Sequence, residues 1–322
     1  TYVLPTLIEL DSISELQGEV FGPVLHVVRF ARDRLPTLME EVAATGYGLT
    51  MGLHTRIDET IRQVSARAHV GNLYINRNMV GAVVGVQPFG GEGLSGTGPK
   101  AGGPLYMHRL LRTRAVEALG DVVTQALPGA VAAGGAPGLP RAFTALTSWL
   151  DGSSEVQLLA RCHRLARALG EQTAWALTGP TGERNVYALL PREATLCLAD
   201  NEQALLLQLG AVLLVGSRAV WPLQPITQAL RARLPAEVQT HIDLSADWSA
   251  PGAAFSVALF QGSDTALREA ACRLAERDGP IVNLHRFTLH DQEQPLEALL
   301  LERAVSTNTA AAEGNASLMT IA

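Results

Sequence analysis

Cysteine is scarce in this chain, with three residues in 322 and no C-x-x-C spacing among them. Cys162, Cys197 and Cys272 form an odd, widely separated set, which predicts neither a disulfide framework nor a metal site. Free thiols are typical of a reducing compartment, so we expect a cytoplasmic location.

Positive charge is sparse as well: 25 Lys and Arg stand against 31 Asp and Glu, and the formal net charge is -6. Because binding to a phosphate backbone needs clustered basic residues, we expect no nucleic-acid binding by this segment. No apolar run reaches the roughly 18 residues of a membrane-spanning helix, and no signal peptide is visible. Residues 2–8 read like a strand inside a domain, so we expect the chain to be a piece of a longer protein.

Hydrophobic residues make up 47% of the chain, enough for two domains with cores of their own. Ala, Gly and Pro dominate residues 126–142, which predicts an exposed linker. Over residues 143–305 apolar strands, residues 213–220 among them, alternate with helical stretches, which predicts an α/β fold with a Rossmann-like doubly wound parallel sheet. Residues 306–322 are small and polar and predict a docking tail. Its apolar anchors would be Leu318, Met319 and Ile321.

A short motif precedes the first apolar strand, where residues 18–24 read GEVFGPV. The carboxylate of Glu19 could accept two hydrogen bonds from a ribose diol, and the ring of Phe21 could flank a nicotinamide. The alternative is an exposed glutamate followed by a core phenylalanine, and the motif alone does not separate the two.

A glycine-rich loop (87–104) contains seven glycines and three prolines. Glycine lets the backbone approach a ligand closely, and consecutive N–H groups facing one way suit a substrate carboxylate. Lys100 could attract the anion as well, although a lysine on such a loop is more often solvated. The alternative for the whole loop is a plain surface turn.

These two motifs, in this order, resemble the aldehyde dehydrogenase superfamily, and the wording of the loop resembles the bifunctional proline-utilisation A family. The resemblance implies that residues 1–125 are the C-terminal part of an aldehyde dehydrogenase catalytic domain. It implies that Glu19 and Phe21 bind the nicotinamide ribose and ring of NAD. It also implies a substrate-binding set, in which two amides hold the carboxylate and two side chains shape the pocket: Gly102, Gly103, Phe89 and Ser95.

The nucleophilic cysteine of that superfamily lies before the Glu-x-Phe-Gly-Pro segment, where this chain has no cysteine. We therefore predict no catalytic residue in this chain and no activity for it alone. All three cysteines are predicted to be buried structural residues.

Residues 143–305 resemble the nucleotide-binding domain of the same superfamily. Where working enzymes have Lys-Pro, this chain has Trp221-Pro222, and residues 284–287 replace the catalytic Glu-x-Gly-Gly segment. His285 could act as a base, although a lone histidine at a strand end is more often structural. The segment is predicted to be a degenerate, noncatalytic copy. An independent dinucleotide enzyme is the less favoured alternative, because G-x-G-x-x-G is absent as well.

The resemblance implies that the parent protein oxidises proline to pyrroline-5-carboxylate with FAD, in a domain absent here. It then oxidises glutamate semialdehyde to glutamate with NAD. The implied partners are this small-molecule substrate and the upstream domains of the parent. Homo-oligomer formation, and peripheral membrane association through the parent's quinone-linked flavin domain, are left open. The alternative function is a noncatalytic lid and oligomerisation module.

Overall fold

The computed structural model describes residues 2–111, 117–134, 138–153, 155–291 and 294–309. Its strands, in chain order, are β1 (Thr6–Leu10), β2 (Val24–Val28), β3 (Tyr47–Gly48), β4 (Thr50–Leu53), β5 (Asn72–Ile75), β6 (Glu92–Gly93), β7 (Val131–Ala132), β8 (Ala174–Leu177), β9 (Glu183–Pro191), β10 (Ala194–Leu198), β11 (Arg218–Pro222), β12 (Ile242–Ser245), β13 (Val257–Phe260), β14 (Asn283–Arg286) and β15 (Leu300–Asn308). Its α-helices are α1 (Leu35–Ala44), α2 (Asp58–Arg67), α3 (Pro104–Leu110), α4 (Leu119–Ala126), α5 (Arg141–Gly152), α6 (Val156–Leu169), α7 (Glu202–Leu214), α8 (Pro225–Arg233), α9 (Ala236–Gln239) and α10 (Asp264–Ala275). Within the described ranges, we find no helix that combines the length and apolarity needed to span a bilayer.

The predicted doubly wound sheet is confirmed. Five parallel strands lie in the order β12-β11-β10-β13-β14, so the chain winds outward from β10 in one direction and then in the other. This arrangement of parallel strands is the Rossmann-like topology. The helix α7 crosses between β10 and β11, and every residue from Ala204 to Leu214 in it is buried.

One predicted strand is wrong in its bounds. Residues 213–220 were expected to form a strand, but α7 continues to Leu214 and β11 begins only at Arg218. Gly216, with φ +84, makes the turn between them. The reason is that an apolar run buried on all sides looks the same in a central helix as in a central strand.

A second sheet contains strands from both halves of the chain. Its six strands lie in the order β4-β5-β15-β9-β8-β7, with β15 parallel to β5 and antiparallel to β9. The short strand β7 falls within the predicted linker, and β15 extends into the first residues of the predicted tail. The three apolar anchors predicted for the tail lie outside the described residues. The domain boundaries stay a prediction, and a continuous sheet crosses them.

Close packing of α7 against α6 leads to a prediction about Gly210. A Cβ atom added at Gly210 would lie 2.8 Å from the Sγ of Cys162. We expect Gly210→Ala to lower the free energy of unfolding by about 1–3 kcal/mol through overpacking, although alanine favours a helix by about 1 kcal/mol over glycine. Urea unfolding measures the change.

Gly152 is a matched control, because it ends α5 and a Cβ atom there would meet nothing within 4 Å. Gly152→Ala should be neutral or slightly stabilising. Adding Cys162→Ala to Gly210→Ala should restore part of the lost stability. A Gly210→Ala variant as stable as the wild type would contradict the packing described above.

Candidate functional site

The glycine-rich loop (87–104) is closed on itself by a two-way backbone bridge. Phe89 donates to the carbonyl of Ala101 at 3.0 Å, and Ala101 donates to the carbonyl of Phe89 at 2.8 Å. The side chain of Gln87, at the start of the loop, donates to Asn185 Oδ1 at 3.1 Å and to Glu183 on β9. The loop therefore has a defined shape and is no plain surface turn.

The predicted substrate-binding residues all lie on this loop. Ser95 Oγ accepts a hydrogen bond from the Gly48 amide at 3.0 Å, which leaves the hydroxyl proton available to donate to a carboxylate. Gly102 is exposed and has φ +67, a backbone conformation that favours glycine. The Gly103 amide donates to the carbonyl of Lys100 at 3.0 Å. To bind a carboxylate, the Gly103 amide would have to share its hydrogen with the Lys100 carbonyl or break that bond. The predicted role of Gly103 stays a prediction.

Lys100 is buried rather than solvated, which corrects the expectation from sequence. The residue is 2% exposed, and its Nζ donates to Asn72 Oδ1 at 2.9 Å and to the carbonyl of Gly90. The side chain folds back under the start of the loop, where Asn72 also accepts from the Gly90 amide at 3.2 Å. Burial lowers the pKa of Lys100 to about 8, because the ammonium ion loses its hydration.

The backbone of Lys100 is held by the second half of the chain. Glu302 on β15 accepts from the Lys100 amide at 2.7 Å through Oε2. Its other oxygen accepts from the hydroxyl of Tyr187 on β9, also at 2.7 Å. Burial raises the pKa of Glu302, and it raises the pKa of Tyr187 as well.

A cavity of about 140 Å³ lies between the loop and the second half of the chain. Its charged and titratable lining includes Glu92, Lys100, His108, Arg192, His285 and Glu302. Burial raises the pKa of Glu92 and lowers that of Arg192 to about 10, because both charged forms are poorly hydrated there.

The nicotinamide motif is not held against this loop. Glu19 is exposed and Phe21 is 89% exposed, on an irregular segment before β2. Among the residues that the structure describes, the flanking strands β1 and β2 pair only with one another. The roles of Glu19 and Phe21 therefore stay predictions.

The cysteines are placed only partly as expected. Cys162 and Cys197 are fully buried, and burial raises the pKa of both thiols, so the nucleophilic thiolate is disfavoured. Cys272 is exposed on α10, so the prediction that it is buried is wrong. Helical periodicity alone does not say which face of α10 packs on the sheet.

A doubly wound sheet usually binds ligands at the point where its strand order reverses, which in the second half lies between the carboxyl ends of β10 and β13. At that point Asn201 Nδ2 donates to Gln261 Oε1 at 3.3 Å. Trp221, in the place of the expected lysine, is fully buried in the core. Arg286 forms an ion pair with Asp264 beside the end of β14.

Sequence reasoning missed Glu302, Tyr187 and the burial of Lys100. A signal for the first was present, since Glu302 and Arg303 interrupt an otherwise apolar run over residues 298–305. Charged residues inside such a strand are rarely buried without a partner. What the signal could not give was the partner, which lies 202 residues away.

The depressed pKa of Lys100 predicts a pH dependence of stability. The pKa is about 8 in the folded chain, against 10.5 for an ordinary hydrated lysine, as in the unfolded chain. Between these values the unfolded state holds more protons, so stability rises with pH. We expect the wild type to gain roughly 1–2 kcal/mol relative to Lys100→Met between pH 8 and pH 9.5, by urea unfolding. A stability difference that does not vary with pH would contradict the burial of a charged Lys100.

Comparisons with known proteins show which proteins the chain is similar to. Residues 1–116 match the model of the aldehyde dehydrogenase family. Bifunctional protein PutA of Escherichia coli (strain K12) is 53% identical over 324 residues, which cover 100% of this chain and 24% of that protein. The 1-pyrroline-5-carboxylate dehydrogenase of Bacillus subtilis (strain 168) is 44% identical over 108 residues, 33% of this chain and 21% of that protein.

A solved structure gives the same fold along the chain. Proline utilization A (PutA) from Corynebacterium freiburgense matches with a TM-score of 0.57 at 23% identity, over 92% of this chain and 26% of that one. The chain thus spans about a quarter of the length of the PutA proteins that it matches. Residues 1–116 thus match the aldehyde dehydrogenase family model, and the chain is similar along its whole length to bifunctional PutA proteins.

Proposed function

We propose that this chain is the C-terminal part of a bifunctional enzyme of proline catabolism. The longer protein would oxidise proline to pyrroline-5-carboxylate with FAD, and then the hydrolysed glutamate semialdehyde to glutamate with NAD. The observation that carries this proposal is the similarity to PutA over the whole chain, at 53% identity. It is supported by the closed glycine-rich loop, which has the properties of a carboxylate-binding element.

The loop would bind the carboxylate end of the semialdehyde. The exposed Gly102 amide and the Ser95 hydroxyl are the donors that the geometry favours. Phe89 is half-buried, and its backbone is hydrogen-bonded to that of Ala101. Its ring would form an apolar wall beside the aliphatic part of the substrate. Several donors converging on one carboxylate orient the aldehyde at its other end toward the reacting atoms.

The remaining chemistry would come from residues outside this chain. A cysteine nucleophile must be largely a thiolate, and burial disfavours that form at Cys162 and Cys197. Glu19 would hold the nicotinamide ribose, and Phe21 would flank the ring. Both residues are exposed, so a cofactor could reach their side chains.

The second half would act as a noncatalytic brace and lid for the first. The support is that its sheet strand β15 inserts beside β5, and that Glu302 and Asn185 bind the glycine-rich loop or residues at its start. In its own sheet, Asn201 and Gln261 are hydrogen-bonded to each other at the strand-order reversal, where a dinucleotide would bind.

Glu19→Ala in the longer protein tests the cofactor role. The ribose diol would lose a charged acceptor, which costs about 1.5–3 kcal/mol of interaction. We expect a higher KM for NAD, with proline oxidation and the KM for semialdehyde unchanged, in steady-state assays of NADH formation.

Glu40→Ala, at an exposed glutamate in α1, is the matched control and should leave every constant unchanged. If Glu19→Ala keeps the wild-type dependence on NAD, Glu19 is a surface residue and the proposed ribose contact is wrong.

Calorimetric titration of the longer protein with NAD tests whether the second half binds cofactor. Because a buried tryptophan stands where the expected lysine would be, and Asn201 and Gln261 are hydrogen-bonded to each other at the strand-order reversal, we expect one NAD per chain. Glu19→Ala should weaken that single phase. A second binding phase that survives Glu19→Ala would assign cofactor binding to the second half and overturn its noncatalytic role.

A further inference from the structure

The structure places a carboxylate of the second half directly against the loop that would hold the substrate. Glu302 Oε2 accepts the Lys100 amide at 2.7 Å. A Cβ atom at Gly103 would lie 3.0 Å from Glu302 Oε1, so the carboxylate also lies close to the backbone three residues further on. The peptide units between these contacts include the Gly102 amide.

The orientation of Glu302 is itself fixed. On β15 it lies on the same face as Ala304, which pairs with Tyr187 of β9. The Tyr187 hydroxyl donates to Glu302 Oε1 at 2.7 Å, so both oxygens of the carboxylate are engaged. A strand inside a sheet is a rigid support, more so than a loop.

We propose that Glu302, oriented by Tyr187, is a positioning residue for the semialdehyde site. It acts through the Lys100 amide to fix the backbone that presents the carboxylate-binding groups. This inference rests on the proposed function of the loop. The second half thus contributes to substrate affinity through one defined side chain, in addition to bracing the first half by strand pairing.

Arg303 offers a matched control on the same strand. It points to the opposite face and donates to the carbonyls of Ser65, at 3.0 Å, and Ala68 at the end of α2. Removing it breaks hydrogen bonds between the two halves that go to α2 rather than to the backbone of the glycine-rich loop, although the Arg303 charge also acts on Glu92 and Lys100.

The experiment compares Glu302→Ala, Glu302→Gln, Tyr187→Phe and Arg303→Ala in the longer protein. Glu302→Ala should raise the KM for semialdehyde roughly tenfold, the effect of losing one hydrogen bond to a charged group. The KM for NAD, kcat at saturating substrate and proline oxidation should stay within twofold of the wild type. Glu302→Gln keeps an acceptor for the Lys100 amide and should restore most of the affinity, while Tyr187→Phe should be intermediate.

Hydrogen exchange gives a readout that does not depend on activity. Amides of residues 98–104 should exchange faster in Glu302→Ala than in the wild type, and at the wild-type rate in Arg303→Ala. An unchanged exchange rate and an unchanged KM for semialdehyde in Glu302→Ala overturn the inference. An equal rise of the KM for semialdehyde in Arg303→Ala also overturns the inference, because general destabilisation would then explain the rise in both variants. If the wild-type protein does not oxidise semialdehyde but Glu302→Ala still speeds the exchange, the proposed function is refuted. The positioning of the loop by Glu302 would then still stand.

Discussion

The main-chain pairing of β15 on both of its edges is the interaction on which the rest of the structure depends. One edge pairs with β5 from Asn72 to Ile75, and the other pairs with β9 along its whole length. Because side chains alternate along a strand, Glu302 faces the glycine-rich loop while Arg303 faces the end of α2. The same pairing therefore fixes the register of the loop contact and of the helix contact.

The charged groups around the loop are unusual in their burial. Desolvation raises the pKa of Glu92 and Glu302 and lowers that of Lys100, Arg192 and Arg303, so each group loses solvation in its charged form. Buried charges contribute little net stability compared with apolar packing, but removing one partner of a set is strongly destabilising. In this structure the charged groups fix backbone geometry. Lys100 donates to the carbonyl of Gly90 and Glu302 accepts from the Lys100 amide, and these bonds hold the glycine-rich loop in the conformation described.

The sequence predicted the doubly wound sheet because that fold follows from local patterns, the alternation of apolar strands and helices over residues 143–305. It also located the glycine-rich loop, whose composition is itself local. It could not predict that β15 pairs with β5, since pairing between distant strands leaves no local pattern. The burial of Lys100 and the exposure of Cys272 were missed for the same reason: each depends on what another part of the chain covers. The apolar stretch after Ala211 was ambiguous because central helices and strands share a composition.

The place of β15 in the sheet also bears on how the protein is made. Strands β4 and β5 are synthesised before the second half of the chain, yet their sheet is completed only by β15, which begins at Leu300. Contacts of such large sequence separation form slowly and leave strand edges open in the meantime. Until β15 pairs with β5, that edge of β5 has unpaired backbone groups, a general liability for aggregation, and the loop lacks its contact with Glu302. Translation to the end of β15 is thus a condition for the hydrogen bond from Lys100 to Glu302, and so for the conformation of the loop that we propose to bind substrate.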